Sequence, residues 1–368
     1  MAISGERIRQ VRELRRLTQK QLADLAGIGQ SAISQIESGF TQPSATVTEA
    51  MAVATGFPLD FFSREPGPEF PAGSLLFRAR RSATSSELTE AYRWAELVYE
   101  CASTLAARLE LIPVSLPQLG GETPTAAARL TRSALGLSPD RPVSNLTYAL
   151  EHHGVLVLAI PIQLQKRDAF SMWVGNRAET PLINVSAGLP GDRLRFSLAH
   201  ETGHLVMHPS QRGYIRDLER QADEFAGEFL LPADALQNEL PSPVTIEGLF
   251  PLKRRWGVSI QTLIMRAKTL GVISQRRCQH LFKILAQRGQ LRREPTQLDI
   301  PVEKPRAFRK MAEVVYGNPL DPRKLASEFS LPLQLAAAIV GVHAKRSEMI
   351  STVPDSREAS NIVEFHRR

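Results

Sequence analysis

The chain has 368 residues, enough for two or three domains that each bury a core. Apolar residues make up 43% and charged residues 23%, and no apolar run approaches the roughly 20 residues a membrane-spanning helix needs, so a globular, non-membrane class is expected. The net charge of +7 is uneven: residues 1–63 hold six basic and six acidic side chains, whereas residues 275–310 hold ten and three. That basic segment reads either as a nucleic-acid surface or as a solvated face. The polar start of the chain does not read as a signal peptide, and Cys101 and Cys278 lack metal-ligand spacing. Both read as reduced thiols, and a cytoplasmic location is expected.

From the N-terminus, Ile8, Val11, Leu14 and Leu17 have the spacing of a first helix. Thr18, with Gln21 three residues on, predicts an N-cap for a helix over Gln19–Ala26, with Leu22 and Leu25 inward and Gly27 as the turn. Gln30–Ser38 reads as a third helix, stopped at Gly39, with Ile33 and Ile36 inward. Val47, Met51, Val53 and Phe57 suggest a closing helix, sealed by Leu59, Phe61 and Phe62. On the third helix Gln30, Ser31, Ser34 and Gln35 point away from the apolar side, and these residue types suit base edges in the major groove.

The run from Thr18 through Gly39 to Pro43-Ser44 closely resembles the Xre/Cro/C1 repressor family. The resemblance implies a phosphate contact from Gln19, base contacts from Gln30, Ser31, Ser34 and Gln35, double-stranded DNA as partner, and a homodimer. A small bundle used only for protein contacts is the competing reading. The neutral charge of the segment favours it, because phosphate contacts normally dominate affinity. Arg9, Arg12 and Arg16 on one face of the first helix partly answer that objection.

Residues 64–75, rich in Pro and Gly, read as a linker between a domain at 1–63 and a second at 76–270. After Phe77-Arg78-Ala79-Arg80-Arg81, helices are expected from Ser86 to Leu111, Thr123 to Leu135 and Asn145 to His153. Strands are expected at Val155–Ile160, Phe170–Val174 and Pro181–Val185. The fold class is therefore multidomain and mainly α: an all-α N-terminal bundle, an α+β unit with a small sheet, and a helical C-terminal region at 271–368.

The densest chemistry is His200-Glu201-Thr202-Gly203-His204, on a helix that Asp192 is expected to open. Histidines at i and i+4 share one helix face and can hold one metal ion, with Glu201 beside it as a proton acceptor. On the next predicted helix Glu219 and Asp223 are also i and i+4. Glu219 can be a third ligand while Asp223 bonds the outer nitrogen of a ligand histidine. Glu224 and Glu228 read as solvated, and His208 as capping or packing the helix end. His152, His153, His280, His343 and His366 read as structural or exposed.

Phe-Ser-Leu-Ala-His-Glu-x-Gly-His-Leu, followed by Glu-x-x-Ala-Asp-x-Phe-Ala-x-x-x-Leu-Leu-Pro, resembles the ImmA/IrrE metallopeptidases over roughly Phe77 to Pro232. The resemblance implies a zincin-like fold, Zn2+ (with Mn2+ an alternative) on His200, His204 and Glu219, Glu201 as base, Asp223 behind a ligand, and a protein substrate of the Xre-repressor type. Thr202 stands where that family more often has Leu. For the oxyanion, Tyr214 and His208 are the candidates. A regulator or antitoxin whose peptidase fold serves as sensor or partner-binding module is the second reading. Residues 246–270 read as a helical pair continuing the peptidase unit. Arg306–Tyr316 and Pro322–Val342 read as helices, and Pro354–Arg368 as a loose tail.

Overall fold

The computed structural model describes residues 2–71, 85–163, 168–175, 177–209 and 215–350. The segment Phe77–Arg81, Tyr214 and the tail from Pro354 lie outside them. The N-terminal bundle holds α1 (Gly5–Leu14), α2 (Gln19–Ala26), α3 (Gln30–Glu37), α4 (Ala45–Thr55) and α5 (Leu59–Ser63). Thr18 and Gln21 form a reciprocal capping box on α2, and Gly27 ends that helix in the left-handed conformation at φ 69°, where a side chain would be strained. Ile8, Val11, Leu22, Ile33, Met51, Phe61 and Phe62 are buried. Leu25, expected inward, and Val53, read with the closing helix, are 50% and 84% exposed, because the buried stripes run through Leu22, Ala23 and Ala26 on α2 and through Thr48, Met51, Ala52 and Thr55 on α4.

A 22-residue helix, α6 (Ser85–Ala106), follows, then α7 (Pro124–Ala134) and α8 (Leu146–Glu151). The sheet comprises β1 (Leu156–Ile160), β2 (Ala169–Val174) and β3 (Thr180–Ser186) in the order β1-β3-β2. β1 runs parallel to β3, with Leu158 opposite Asn184, and β2 runs antiparallel to it, with Ser171 opposite Ile183. Side chains alternate across the sheet, and the alternation divides the core in two. Val157, Ala159, Ala169, Ile183 and Val185 face the helices α9 (Gly191–Met207) and α10 (Arg216–Leu230). Leu158, Ile160, Phe170, Met172, Val174 and Leu182 face the other way, into a core shared with α6, the N-terminal bundle and the last helices.

The chain then forms α11 (Ala233–Glu239), α12 (Phe250–Trp256), α13 (Ile260–Thr269) and α14 (Gln275–Gln287), and ends in α15 (Ala307–Tyr316), α16 (Pro322–Phe329) and α17 (Leu333–His343). The stretch expected as helix over Pro322–Val342 is split at Ser330, at φ 50°, just before Leu331-Pro332. α15 and α17 fold back on β1 and close the sheet's second face. Among the described residues no helix is long and apolar enough to cross a membrane.

Two details set the position of α9. It starts at Gly191 after Pro190, and Asp192 lies inside the first turn rather than capping it. There Asp192 accepts from the buried ammonium of Lys253, which a free cap residue would not do. Gly203 sits against Phe225, whose ring a methyl group there would approach to 3.0 Å, so the missing side chain is what lets α9 and α10 lie close.

Candidate metal centre and DNA-reading helix

α9 and α10 bring His200, His204 and Glu219 together, one ligand atom from each lying within 4.8 Å of the others. The Nε2 atoms of His200 and His204 are 3.1 Å apart, and each is 3.5 Å from an oxygen of Glu219. A tetrahedral ion with bonds of about 2.0–2.1 Å would separate its ligand atoms by about 3.3–3.4 Å. The three donors are therefore spaced as ligands of one small divalent ion, and the two-nitrogen, one-oxygen set suits zinc.

The outer nitrogens explain why both rings turn their Nε2 atoms inward. His200 Nδ1 lies 2.8 Å from Asp223 Oδ1, an atom that only accepts, so Nδ1 carries the proton and Nε2 keeps its lone pair. His204 reaches the same state through a longer chain. His208 Nε2 lies 2.8 Å from Gln221 Oε1 and must donate to it, which leaves His208 Nδ1 as an acceptor. His204 Nδ1, 3.2 Å away, is then the donor. His208 thus holds a neighbouring histidine, and with both its nitrogens engaged it is a poor oxyanion donor. Without a metal, burial favours the neutral His200 ring but hydrogen bonds to Asp223 and Glu219 outweigh it and push its pKa up to about 9, so an ion binding there displaces the Nε2 proton and leaves the one on Nδ1.

Glu201 is 4% exposed, on the turn between the two histidines. Ser171 of β2 donates to its Oε2 at 2.5 Å. Ser171 faces α9 as Trp173 does, whose indole N–H donates to the Leu205 carbonyl. The sequence reading missed Ser171. Its signal was present: it is the single hydroxyl in the strand Ala169-Phe170-Ser171-Met172-Trp173-Val174. Thr202 is buried, and its hydroxyl is satisfied by the Leu198 carbonyl of its own helix. Glu224 is half-buried and pairs with Arg220. Glu228, expected in solvent, is 1% exposed and bridges Arg129 and Arg266, because its face of α10 turns toward α7 and α13.

In the N-terminal bundle Gln30, Ser31, Ser34 and Gln35 are all exposed along α3. Gln19 donates to Glu37 Oε2 at 2.9 Å. The arginines of α1 do not form the expected phosphate-facing stripe. Arg12 grips Glu37 at 2.5 and 3.1 Å, and Arg16 pairs with Glu90 of α6. Arg9 remains 54% exposed. Arg7 makes a doubly bonded pair with Glu100, and Arg93 reaches back to Glu13 at 2.6 Å. Arg7 and Glu13 of α1, with Arg16 just beyond its end, therefore dock the bundle on α6.

The bundle and the centre define a DNA-binding helix-turn-helix unit joined to a metallopeptidase-type unit. Residues 8–62 match the helix-turn-helix family, and residues 150–268 match the IrrE N-terminal-like domain of the M78 peptidases. The chain carries both domains, in the order expected of an Xre-type regulator fused to an ImmA/IrrE domain. Comparison with curated proteins gives no match.

Proposed function

We propose that the protein is a DNA-binding regulator whose peptidase-type domain is a zinc-dependent endopeptidase acting on a repressor-type protein. The supporting observation is the convergence of His200 Nε2, His204 Nε2 and Glu219 at 3.1–3.5 Å, with Glu201 buried alongside and bonded to Ser171. Bound there, zinc supplies Lewis acidity toward a peptide carbonyl and water. Asp223 and the His208–Gln221 pair keep the ligand rings in the donor tautomer. Glu201 takes the proton of the attacking water and returns it to the leaving amine nitrogen. Ser171 fixes the carboxylate that makes this transfer. In the other domain, Gln30, Ser31, Ser34 and Gln35 read base edges and the chain acts as a homodimer.

Docking of α1 on α6 through Arg7–Glu100 and Arg93–Glu13 favours a second reading, in which the peptidase fold regulates DNA binding without cleaving. Glu201→Gln separates the two, since it keeps size and metal ligands but cannot accept the proton. Under the proteolytic reading, cells carrying it leave the repressor intact and its genes silent. Unchanged repressor cleavage and transcript levels would instead leave the regulator reading, in which exchanges at Gln30 and Gln35 are the damaging ones.

A further inference from the structure

A cleft of about 580 Å³ lies away from the metal centre, between the start of α9, the end of α12 and the segment from Ile300 through α15, with the end of α17 as its far wall. That volume suits a small molecule of mononucleotide size. Its lining carries seven Arg or Lys side chains against two carboxylates, Glu303 and Glu348. Both carboxylates are already committed, Glu303 to Arg195 and Glu348 to Arg309. Arg254, Lys304, Arg306 and Lys345 also line the cleft, and among the described residues their side-chain cations form no ion pair; Lys304 Nζ donates to the Ala344 carbonyl and Arg254 to that of Gln297. So much like charge around one hollow is unfavourable unless an anion enters it.

A second observation points the same way. Arg195 is 3% exposed and Arg309 is 8% exposed, yet the Nε atom of each is buried with no hydrogen-bond partner. Arg309 Nε has the Glu313 carboxylate at 3.6 Å, beyond hydrogen-bond reach, whereas Arg195 Nε faces no carboxylate; an unmatched buried donor costs free energy, and both residues line this one cleft. Guanidinium groups recognise phosphate oxygens through paired N–H donors.

We propose that this cleft binds a phosphate-bearing small molecule, held by Arg254, Lys304, Arg306 and Lys345. Arg195 lies on α9 five positions before His200, and Gly191 at the start of the same helix packs so tightly on the Ile300 and Pro301 carbonyls that a methyl group would collide with them. An occupant therefore touches the helix that carries two of the metal-binding histidines. The proposal does not depend on proteolysis.

The test is calorimetric titration of the full chain with AMP and MgATP, with inorganic phosphate as competitor and citrate and a random-sequence DNA duplex as controls. AMP or MgATP should bind one per chain, inorganic phosphate should compete, and Arg306→Gln/Lys345→Gln should weaken binding at least tenfold. Both residues are exposed, so the variant should keep the parent's circular dichroism spectrum. Arg254→Gln, on a different element, supplies an independent variant expected to act in the same direction. Absence of binding by every phosphate probe, binding unaltered in both variants, citrate binding as tightly as the nucleotides, or binding of DNA alone would overturn the proposal.

Discussion

His208→Phe tests how the metal centre is held. The substitution keeps an aromatic ring in a position that is 8% exposed but removes both nitrogens. His204 Nδ1 then loses its acceptor at 3.2 Å, and with it the link through His208 to Gln221. Loss of the outer partner of a metal-binding histidine costs about 10–100-fold in metal affinity, or about 1.4–2.8 kcal/mol. Gln221→Leu breaks the same chain one bond further out, so its loss should be smaller. Because both variants act through one series of bonds, the double variant should lose no more than His208→Phe alone. Zinc affinity is measured by competition against a chromophoric chelator, with circular dichroism to establish that each variant is folded. A His208→Phe protein with the parent's zinc affinity, or losses that simply add, would refute the tautomer argument.

Ser171→Ala removes the hydrogen bond to Glu201 Oε2 and should lower kcat/KM on a cleavable substrate about tenfold, with zinc content unchanged; loss of zinc would point to a structural role instead. Glu100→Gln strands the 1%-exposed Arg7 and should cost about 3–5 kcal/mol in urea denaturation, whereas Arg7→Met/Glu100→Leu should recover much of it. If the single and double variants are equally unstable, the buried pair is not what matters there. His343 is fully buried, its Nε2 accepting from Ala159 N–H, and burial with the nearby Lys304 pushes its pKa down to about 4 against a weaker pull from the Ile339 carbonyl. Between pH 6.5 and 4 the unfolded chain therefore binds a proton that the folded one refuses. Stability should fall as pH drops through that window, by at most about 3 kcal/mol. Retention of the same acid limb in His343→Gln would show that another group is responsible.

What was legible in the sequence was what helical spacing carries. Thr18 and Gln21 announce a cap, Ile33 and Ile36 an inward face, and His200, His204, Glu219 and Asp223 two matching helix faces, all over a few residues. What was not legible depends on partners far away in the chain. Arg7 and Arg16 look like free cations until Glu100 and Glu90 are brought to them across more than seventy residues. Glu228 looks solvated until Arg266 arrives from α13, and Ser171 looks like an incidental strand residue until Glu201 packs on it. Leu25 and Val53 are apolar but lie off the helix stripes that meet the bundle. Period and propensity describe an element's own surface, and only tertiary packing decides what that surface meets.

The continuous core along the sheet's second face has a consequence for how the molecule comes apart. Ile8, Phe61 and Phe62 belong to the same apolar cluster as Leu97 and Val98 of α6, Leu158 of β1 and Phe308 of α15. The DNA-reading head is therefore not a bead on a flexible string. Stripping it away would lay bare a broad oily surface on α6, and loosening the closing helices would withdraw support from the head at the other end of the chain. Bundle, sheet face and closing helices share one continuous core, so damage to the bundle should be felt by the closing helices and damage to them by the bundle.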